Sequence, residues 1–167
     1  MKKIVLAAFL LLSGVTLFSS CRGRDGGFNV FSEEDDVELG QQFDSEIKSN
    51  PEEFPVLSRE LYPEAYYNLS RVVTTVLSSK HVLHRHDFPW KVTILINDTV
   101  RNAFCTPGGY IYVYTGLIRS LHSEDQLAGV LGHEIAHADL RHSTEQMTKS
   151  YGIRLLLQFI FGDHSML

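Results

Sequence analysis

The sequence feature that most constrains this chain is His-Glu-Ile-Ala-His, which occupies residues 133–137. Two histidines four positions apart on a helix lie on one face, about 6 Å apart along the axis, so both imidazoles can reach one metal ion. Zinc suits imidazole, and a catalytic zinc takes three protein ligands and a water molecule. The spacing predicts that His133 and His137 bind Zn²⁺ and that Glu134 is the catalytic base that accepts a proton from the water.

A chance match on an ordinary solvated helix is the alternative interpretation of this motif. The neighbouring sequence favours the metal site, because Ser123 followed three residues later by Gln126 predicts a capping box and therefore a helix start. We expect this helix to begin at Ser123 and to run well past His142. Apolar residues recur through it at helical spacing, namely Leu127, Val130, Leu131, Ile135 and Ala138.

The N-terminus predicts a signal peptide of the lipoprotein type over residues 1–20. A basic start precedes an apolar run that is shorter than the roughly 20 residues a membrane span needs. Ser19-Ser20-Cys21 resembles a lipobox, so Cys21 is the predicted lipidation site; an uncleaved anchor or a simple signal peptide is the alternative. Residues 21–30 predict a flexible tether. We therefore expect a bacterial envelope protein that is anchored to a membrane by lipid and faces the periplasm.

Length, charge and cysteine content restrict the kind of domain that residues 31–167 can form. The length of 167 residues suits one domain, and a formal net charge of −5 without a basic stripe argues against binding to nucleic acid. With Cys21 lipidated, Cys105 is the only free thiol, and we interpret it as a small core or strand residue. We interpret His81, His84 and His86 as a solvated helix end and loop, against the alternative of a metal-binding tract.

Hydrophobic periodicity predicts an α+β fold. One helix follows Ser32 and ends at Asn50, and another extends from Tyr62 to Leu83. Alternating apolar residues with turn signals between them predict three strands, which we expect to form a small antiparallel sheet on the active-site helix. The strands are predicted at Trp90 to Asn97, Asn102 to Thr106 and Tyr110 to Thr115, with a tight turn at residues 107–109.

Two segments together resemble a known family of zinc metallopeptidases. One reads Asn-Ala-Phe-Cys-Thr-Pro-Gly-Gly-Tyr-Ile-Tyr-Val-Tyr-Thr-Gly-Leu-Ile from Asn102, and the other reads Glu-x-Gln-Leu-Ala-x-Val-Leu-Gly-His-Glu-Ile-Ala-His-x-x-x-Arg-His from Glu124. Both are similar to the family of HtpX, the CaaX prenyl protease and the periplasmic lipoprotein peptidases. The resemblance implies a zincin-like fold and a zinc endopeptidase of the gluzincin type.

The resemblance also implies how a polypeptide substrate binds. In the family, the strand before the tight turn lies along the active-site cleft and pairs with the backbone of an extended substrate. Carried over, Asn102, Ala103 and Phe104 line the cleft, and plain sheet packing is the alternative for each. An exposed edge strand beside a metal is a suitable template for such pairing.

The third zinc ligand of the family is a glutamate on a later helix, in a Glu-x-x-x-Asp setting, and no such motif follows His137 here. On a continuous helix Asp139 points to the wrong face, while His142 and Glu145 lie about 7.5 Å and 12 Å further along the axis than His137. We therefore expect a domain that is truncated at its C-terminus. Such a domain would leave Leu127, Val130 and Leu131 on the helix partly exposed.

Three functions fit these patterns. The first is a zinc-dependent metalloendopeptidase, or the N-terminal part of one, that acts on envelope proteins in protein quality control. The second is a catalytically inactive metal-binding lipoprotein that holds partners through its edge strand. The third is a gene fragment without a function of its own.

Overall fold

The computed structural model describes residues 29–161, and side chains within it up to Tyr151. The predicted signal peptide, the lipidation site Cys21 and nearly all of the tether lie outside these residues. The strands are β1 (Lys91–Leu95), β2 (Ala103–Thr106) and β3 (Tyr110–Tyr114), and a 3₁₀ turn at Pro107–Gly109 joins β2 to β3. The helices are α1 (Glu33–Ser49), α2 (Pro63–Leu77), α3 (Thr115–Ser120), α4 (Glu124–Asp139) and α5 (His142–Phe161).

The predicted α+β architecture is confirmed, but the prediction that the sheet is antiparallel is wrong. The strand order is β1-β3-β2, with β2 antiparallel to β3 and β1 parallel to β3. The tight turn makes β2 and β3 an antiparallel hairpin, as expected. The chain between β1 and β2 then skips one strand position, and β3 fills the gap between them. Sequence neighbours β1 and β2 are therefore not spatial neighbours, which the strand pattern alone does not reveal.

The sheet lies between two layers of helices. On one face, α2 and α4 bury their apolar residues against side chains of all three strands, including Ile94, Ala103 and Ile111. On the other face, Ile47 of α1 packs with Tyr110 and Tyr112. The central strand β3 is buried on both faces, so its side chains alternate between the two cores.

Side-chain caps define two of the helix starts. At α1, the Ser32 hydroxyl accepts from the Asp35 amide at 3.1 Å and Asp35 accepts from the Ser32 amide at 2.7 Å, a complete capping box. At α4, the Ser123 hydroxyl accepts from the Gln126 amide at 3.3 Å, as predicted. The Gln126 side chain accepts from His122 rather than from Ser123, so this box is only half formed.

The prediction that one continuous helix runs past His142 is wrong, because α4 ends at Asp139 and a separate helix, α5, begins at His142. Arg141 between them has a φ of 55°, which breaks the helical path. Its guanidinium binds the buried Asp36 carboxylate and donates to the carbonyl oxygens of Phe31 and Ser32. These contacts with the start of α1 hold the break in place.

The helix α2 is shorter than predicted and ends at Leu77 instead of Leu83. The following segment is bound to the end of α4, where the buried Asp139 carboxylate accepts from the amides of Leu83 and His84 at 3.0 and 2.7 Å. His84 also stacks on Phe88 and is mostly buried, so the solvated interpretation is wrong for this residue. It is correct for the exposed His81 and His86.

Two further expectations concern burial. Cys105 is half-buried in β2 and packs against the core, which confirms it as a strand and core residue. The expected partial exposure is confirmed for Leu127 and Val130, which are half-buried, and is wrong for Leu131, which α2 and the sheet bury completely. Among residues 29–161, no helix is long and apolar enough to cross a membrane.

Gly40 allows α1 to lie directly on the sheet hairpin. A Cβ at this position would overlap the carbonyl oxygen of Pro107 and lie 2.5 Å from Cδ2 of Tyr110. Gly129 in α4 provides a matched contrast, because a Cβ there would meet nothing within 4 Å. We predict that Gly40→Ala lowers the free energy of unfolding by about 1–3 kcal/mol through overpacking. Gly129→Ala should raise it by about 0.5–1 kcal/mol through helix propensity.

Urea unfolding of the two variants beside the parent chain measures both changes. Equal stabilisation by the two alanines would contradict the close packing of α1 on the hairpin.

Candidate metal centre

The helix α4 brings His133 and His137 together on its open side. Their Nε2 atoms are 3.0 Å apart, and the rings meet edge to face with centroids 4.5 Å apart. The opposite side of the helix carries Leu131 and Ile135, which are buried in the core. Burial of these apolar residues therefore fixes the rotation of α4, and the two histidines necessarily face outwards one turn apart.

The donor set of this pair suits a metal ion. Two imidazole nitrogens bound to one tetrahedral Zn²⁺ at about 2.0–2.1 Å lie roughly 3.3 Å apart, close to the observed separation. Burial is the main cause that lowers the pKa of His137, and the neighbouring His133 and His142 add to it. A lowered pKa keeps the imidazole neutral, which is the form that binds metal. Over the described residues, no set of three His, Cys, Asp or Glu side chains is arranged to hold an ion.

Glu134 follows His133 on α4 and is rotated from it by about 100° around the helix axis. It is half-buried, and burial raises the pKa of its carboxyl group to about 7. Its charge also contributes, after burial, to raising the pKa of the Cys105 thiol. A carboxyl group with a pKa near neutrality is suited to take up and release a proton. A cation held by the two histidines would lower this pKa, because it favours the carboxylate.

His142 is the residue whose position the sequence did not reveal. Its Nδ1 lies 2.9 Å from Nδ1 of His137, and the two ring centroids are 5.0 Å apart. The break at Arg141 makes this contact, which a continuous helix would prevent. The sequence did contain one sign of a new helix here. Ser143 is followed three residues later by Gln146, which is the spacing of a capping box, and Ser143 is next to His142, where α5 begins.

The other acidic residues near the end of α4 are engaged elsewhere. Asp139 is bound to the two amides of the segment after α2, and Glu145 accepts from Lys149 at 2.6 Å on α5. Neither carboxylate lies with the histidine pair.

The strand residues that the resemblance assigned to the cleft have three different environments. Ala103 is buried on the side of the sheet that faces α4. Phe104 points to the opposite face and stacks on Tyr112 with centroids 4.8 Å apart. Asn102 is exposed, and its carbonyl oxygen accepts from the amide of Tyr114 at 3.1 Å. Because β2 is an edge strand of the sheet, its outer backbone is the part available to a substrate. That Asn102, Ala103 and Phe104 line a substrate cleft stays a prediction.

In a comparison with known proteins, the family model of Peptidase family M48 matches residues 63–166. The matched segment includes α2, the whole sheet and α4. The mitochondrial metalloendopeptidase OMA1 of Arabidopsis thaliana is 38% identical over 84 residues, 48% of this chain and 17% of that protein. OMA1 of Homo sapiens is 38% identical over 71 residues, 42% of this chain and 13% of that protein.

A bacterial relative is the metalloprotease YcaL of Escherichia coli (strain K12), which is 40% identical over 52 residues, 31% of this chain and 20% of that protein. The chain thus spans no more than about a fifth of these three relatives. The family match covers most of the chain and includes the helix of His133, Glu134 and His137, as the resemblance predicted. The chain belongs to peptidase family M48.

Proposed function

We propose that this protein is a zinc-dependent metalloendopeptidase, or carries the catalytic helix of one, and cleaves cell-envelope polypeptides in protein quality control. The observation that carries the proposal is the convergence of the His133 and His137 Nε2 atoms at 3.0 Å beside a half-buried Glu134. Membership of family M48 supports the endopeptidase class, since relatives of this chain are named metalloendopeptidases.

His133 and His137 would hold the zinc ion through Nε2. The ion, when bound, supplies Lewis-acid chemistry that polarises the scissile carbonyl and acidifies the attacking water. Glu134 accepts the proton of that water and then delivers it to the nitrogen of the departing amine. Its partial burial raises the proton affinity of the carboxylate and so opposes the lowering of its pKa by the bound cation.

The edge strand β2 supports an extended mode of substrate binding. It packs beside α4, and Ala103 and Cys105 point towards that helix. Backbone pairing of a polypeptide with the outer edge of β2 would leave its scissile bond beside the histidine pair, and it would read little of the substrate sequence. Weak sequence selectivity is appropriate for a peptidase that removes misfolded proteins.

A second candidate is a metal-binding lipoprotein that holds partners on β2 without cleaving them. The observation in its favour is that the described residues offer two histidines and no third ligand of the same site. A fragment without its own function is consistent with the same observation. Zinc affinity and peptidase activity, measured together, separate these candidates from the enzyme.

Zinc binding provides the first test. Two imidazoles fill half of a tetrahedral shell, so we predict that this chain binds zinc weakly and cleaves casein slowly or not at all. We predict that a chain extended by a helix with a glutamate in a Glu-x-x-x-Asp setting binds zinc more than about 100-fold more tightly. This gain exceeds the usual effect of a residue that contacts only the metal ligands, because the glutamate would bind the ion itself. Chelator competition measures the two affinities. Tight one-to-one binding and casein cleavage by the unextended chain would contradict this and point to Asp163, His164 or a partner subunit as ligand.

Replacement of Glu134 separates a base from a ligand. We predict that Glu134→Gln in the extended, zinc-loaded chain lowers peptidase activity by about 10²–10⁴-fold, the usual contribution of a general base. Zinc content should stay at the parent value, whereas His133→Ala or His137→Ala should lose both zinc and activity. Metal analysis of the purified variants checks this. If Glu134→Gln loses as much zinc as the histidine variants, Glu134 is itself a ligand.

The envelope location depends on Cys21. We propose that this residue becomes the lipidated mature N-terminus, so that a membrane is a partner of the protein and the domain faces the periplasm. Mass spectrometry of the protein expressed in a bacterium should show a diacylglyceryl-modified Cys21, and Cys21→Ala should move the protein out of the membrane fraction. A mature N-terminus elsewhere, or an unmodified Cys21, contradicts the anchor.

A further inference from the structure

We infer that His142 is a positioning residue for the metal site, which accepts a hydrogen bond from His137 and thereby selects the nitrogen that His137 offers to the ion. The inference rests on the proposed zinc site. Its basis is the 2.9 Å separation between the Nδ1 atoms of the two residues. The two ring planes are inclined at 72°, with their centroids 5.0 Å apart.

The direction of this hydrogen bond follows from the chemistry of imidazole. A neutral ring carries one proton, so of two facing Nδ1 atoms one donates and the other accepts. Nε2 of His137 faces Nε2 of His133 at 3.0 Å and must be unprotonated to bind a metal. His137 therefore carries its proton on Nδ1 and donates it to Nδ1 of His142. His142 then carries its own proton on Nε2.

This arrangement also fixes the orientation of the His137 ring. A ligand histidine whose second nitrogen is hydrogen-bonded is held in one tautomer and one rotation, which lowers the entropy lost on metal binding. His142 acts through His137 and is not itself a ligand of the same ion, because it engages the nitrogen on the side of the ring away from Nε2.

The break between α4 and α5 is what allows the contact. On a continuous helix, a residue five positions on is rotated by about 140° and displaced by about 7.5 Å, which would separate the two rings. Arg141 turns the chain with its φ of 55°, and its guanidinium is held by Asp36 and by two carbonyl groups before α1. The N-terminal segment of the domain thus supports the metal site through Arg141 and His142.

Variants of His142 in the full chain test the inference. An asparagine places its side-chain oxygen near the position of Nδ1 and can accept the same hydrogen bond, whereas alanine cannot. We expect His142→Ala to weaken zinc binding by about 10–100-fold and His142→Asn to stay within about threefold of the parent. His122→Ala, an exposed histidine three turns before the motif, is the matched control and should leave the affinity unchanged. Chelator competition gives the affinities, and urea unfolding of the metal-free variants shows whether each one is folded.

Nitrogen NMR of the parent chain at saturating zinc gives a second readout that needs no variant. We expect His137 protonated at Nδ1, and His142 protonated at Nε2 and unprotonated at Nδ1. A proton on Nδ1 of His142, or equal zinc affinity of the alanine variant and the parent, would overturn the inference. Equal loss of affinity in both His142 variants, with an altered cobalt absorption spectrum, would make His142 a ligand and also overturn it. Failure of the zinc site itself appears separately, as zinc affinity unchanged in His133→Ala.

Discussion

Burial of the inner side of α4 is the constraint on which the arrangement of this protein depends. Leu131 and Ile135 are almost completely buried between α2 and the sheet, and each such side chain contributes about 1.5–3 kcal/mol of transfer free energy. Rotation of the helix would expose them, so the helix has one stable orientation. In that orientation His133 and His137 face outwards. The candidate metal site is thus positioned by core packing on the far side of the same helix.

The same packing explains the intermediate environment of Glu134. A residue next to a histidine of the outer face is turned by about 100° towards the sheet. It is therefore neither in the core nor in open solvent, and burial raises its pKa to about 7. The helical rotation gives neighbouring residues different chemistry: an outward-facing imidazole pair suited to a metal ion, with His133 exposed and His137 half-buried, and a partly desolvated carboxylate suited to proton transfer.

Polar contacts hold the C-terminal end of α4. Asp139 binds the amides after α2, and Arg141 connects the buried Asp36 to the start of α5. Loss of one partner from such a buried ion pair costs about 3–5 kcal/mol, because the other charge is left unpaired. These contacts bring distant parts of the chain to one point. They also bring His142 to His137, so the polar contacts at the end of the helix are connected to the candidate metal site.

The sequence by itself determined the candidate histidine pair, the neighbouring glutamate and the helix that carries them, because the spacing in His-Glu-Ile-Ala-His and the apolar period are local properties of one segment. It also determined the hairpin of β2 and β3, since the turn residues lie between the two strands. Only the tertiary structure decided that β3 lies between β1 and β2 and that the helix breaks at Arg141. Both features depend on contacts between residues far apart in the chain. The strand order depends on which strand edges pair. The helix break depends on Arg141, whose partners lie 105 to 110 residues away in the sequence. The position of His142 follows from that break, and for this reason no local pattern placed it beside the metal site.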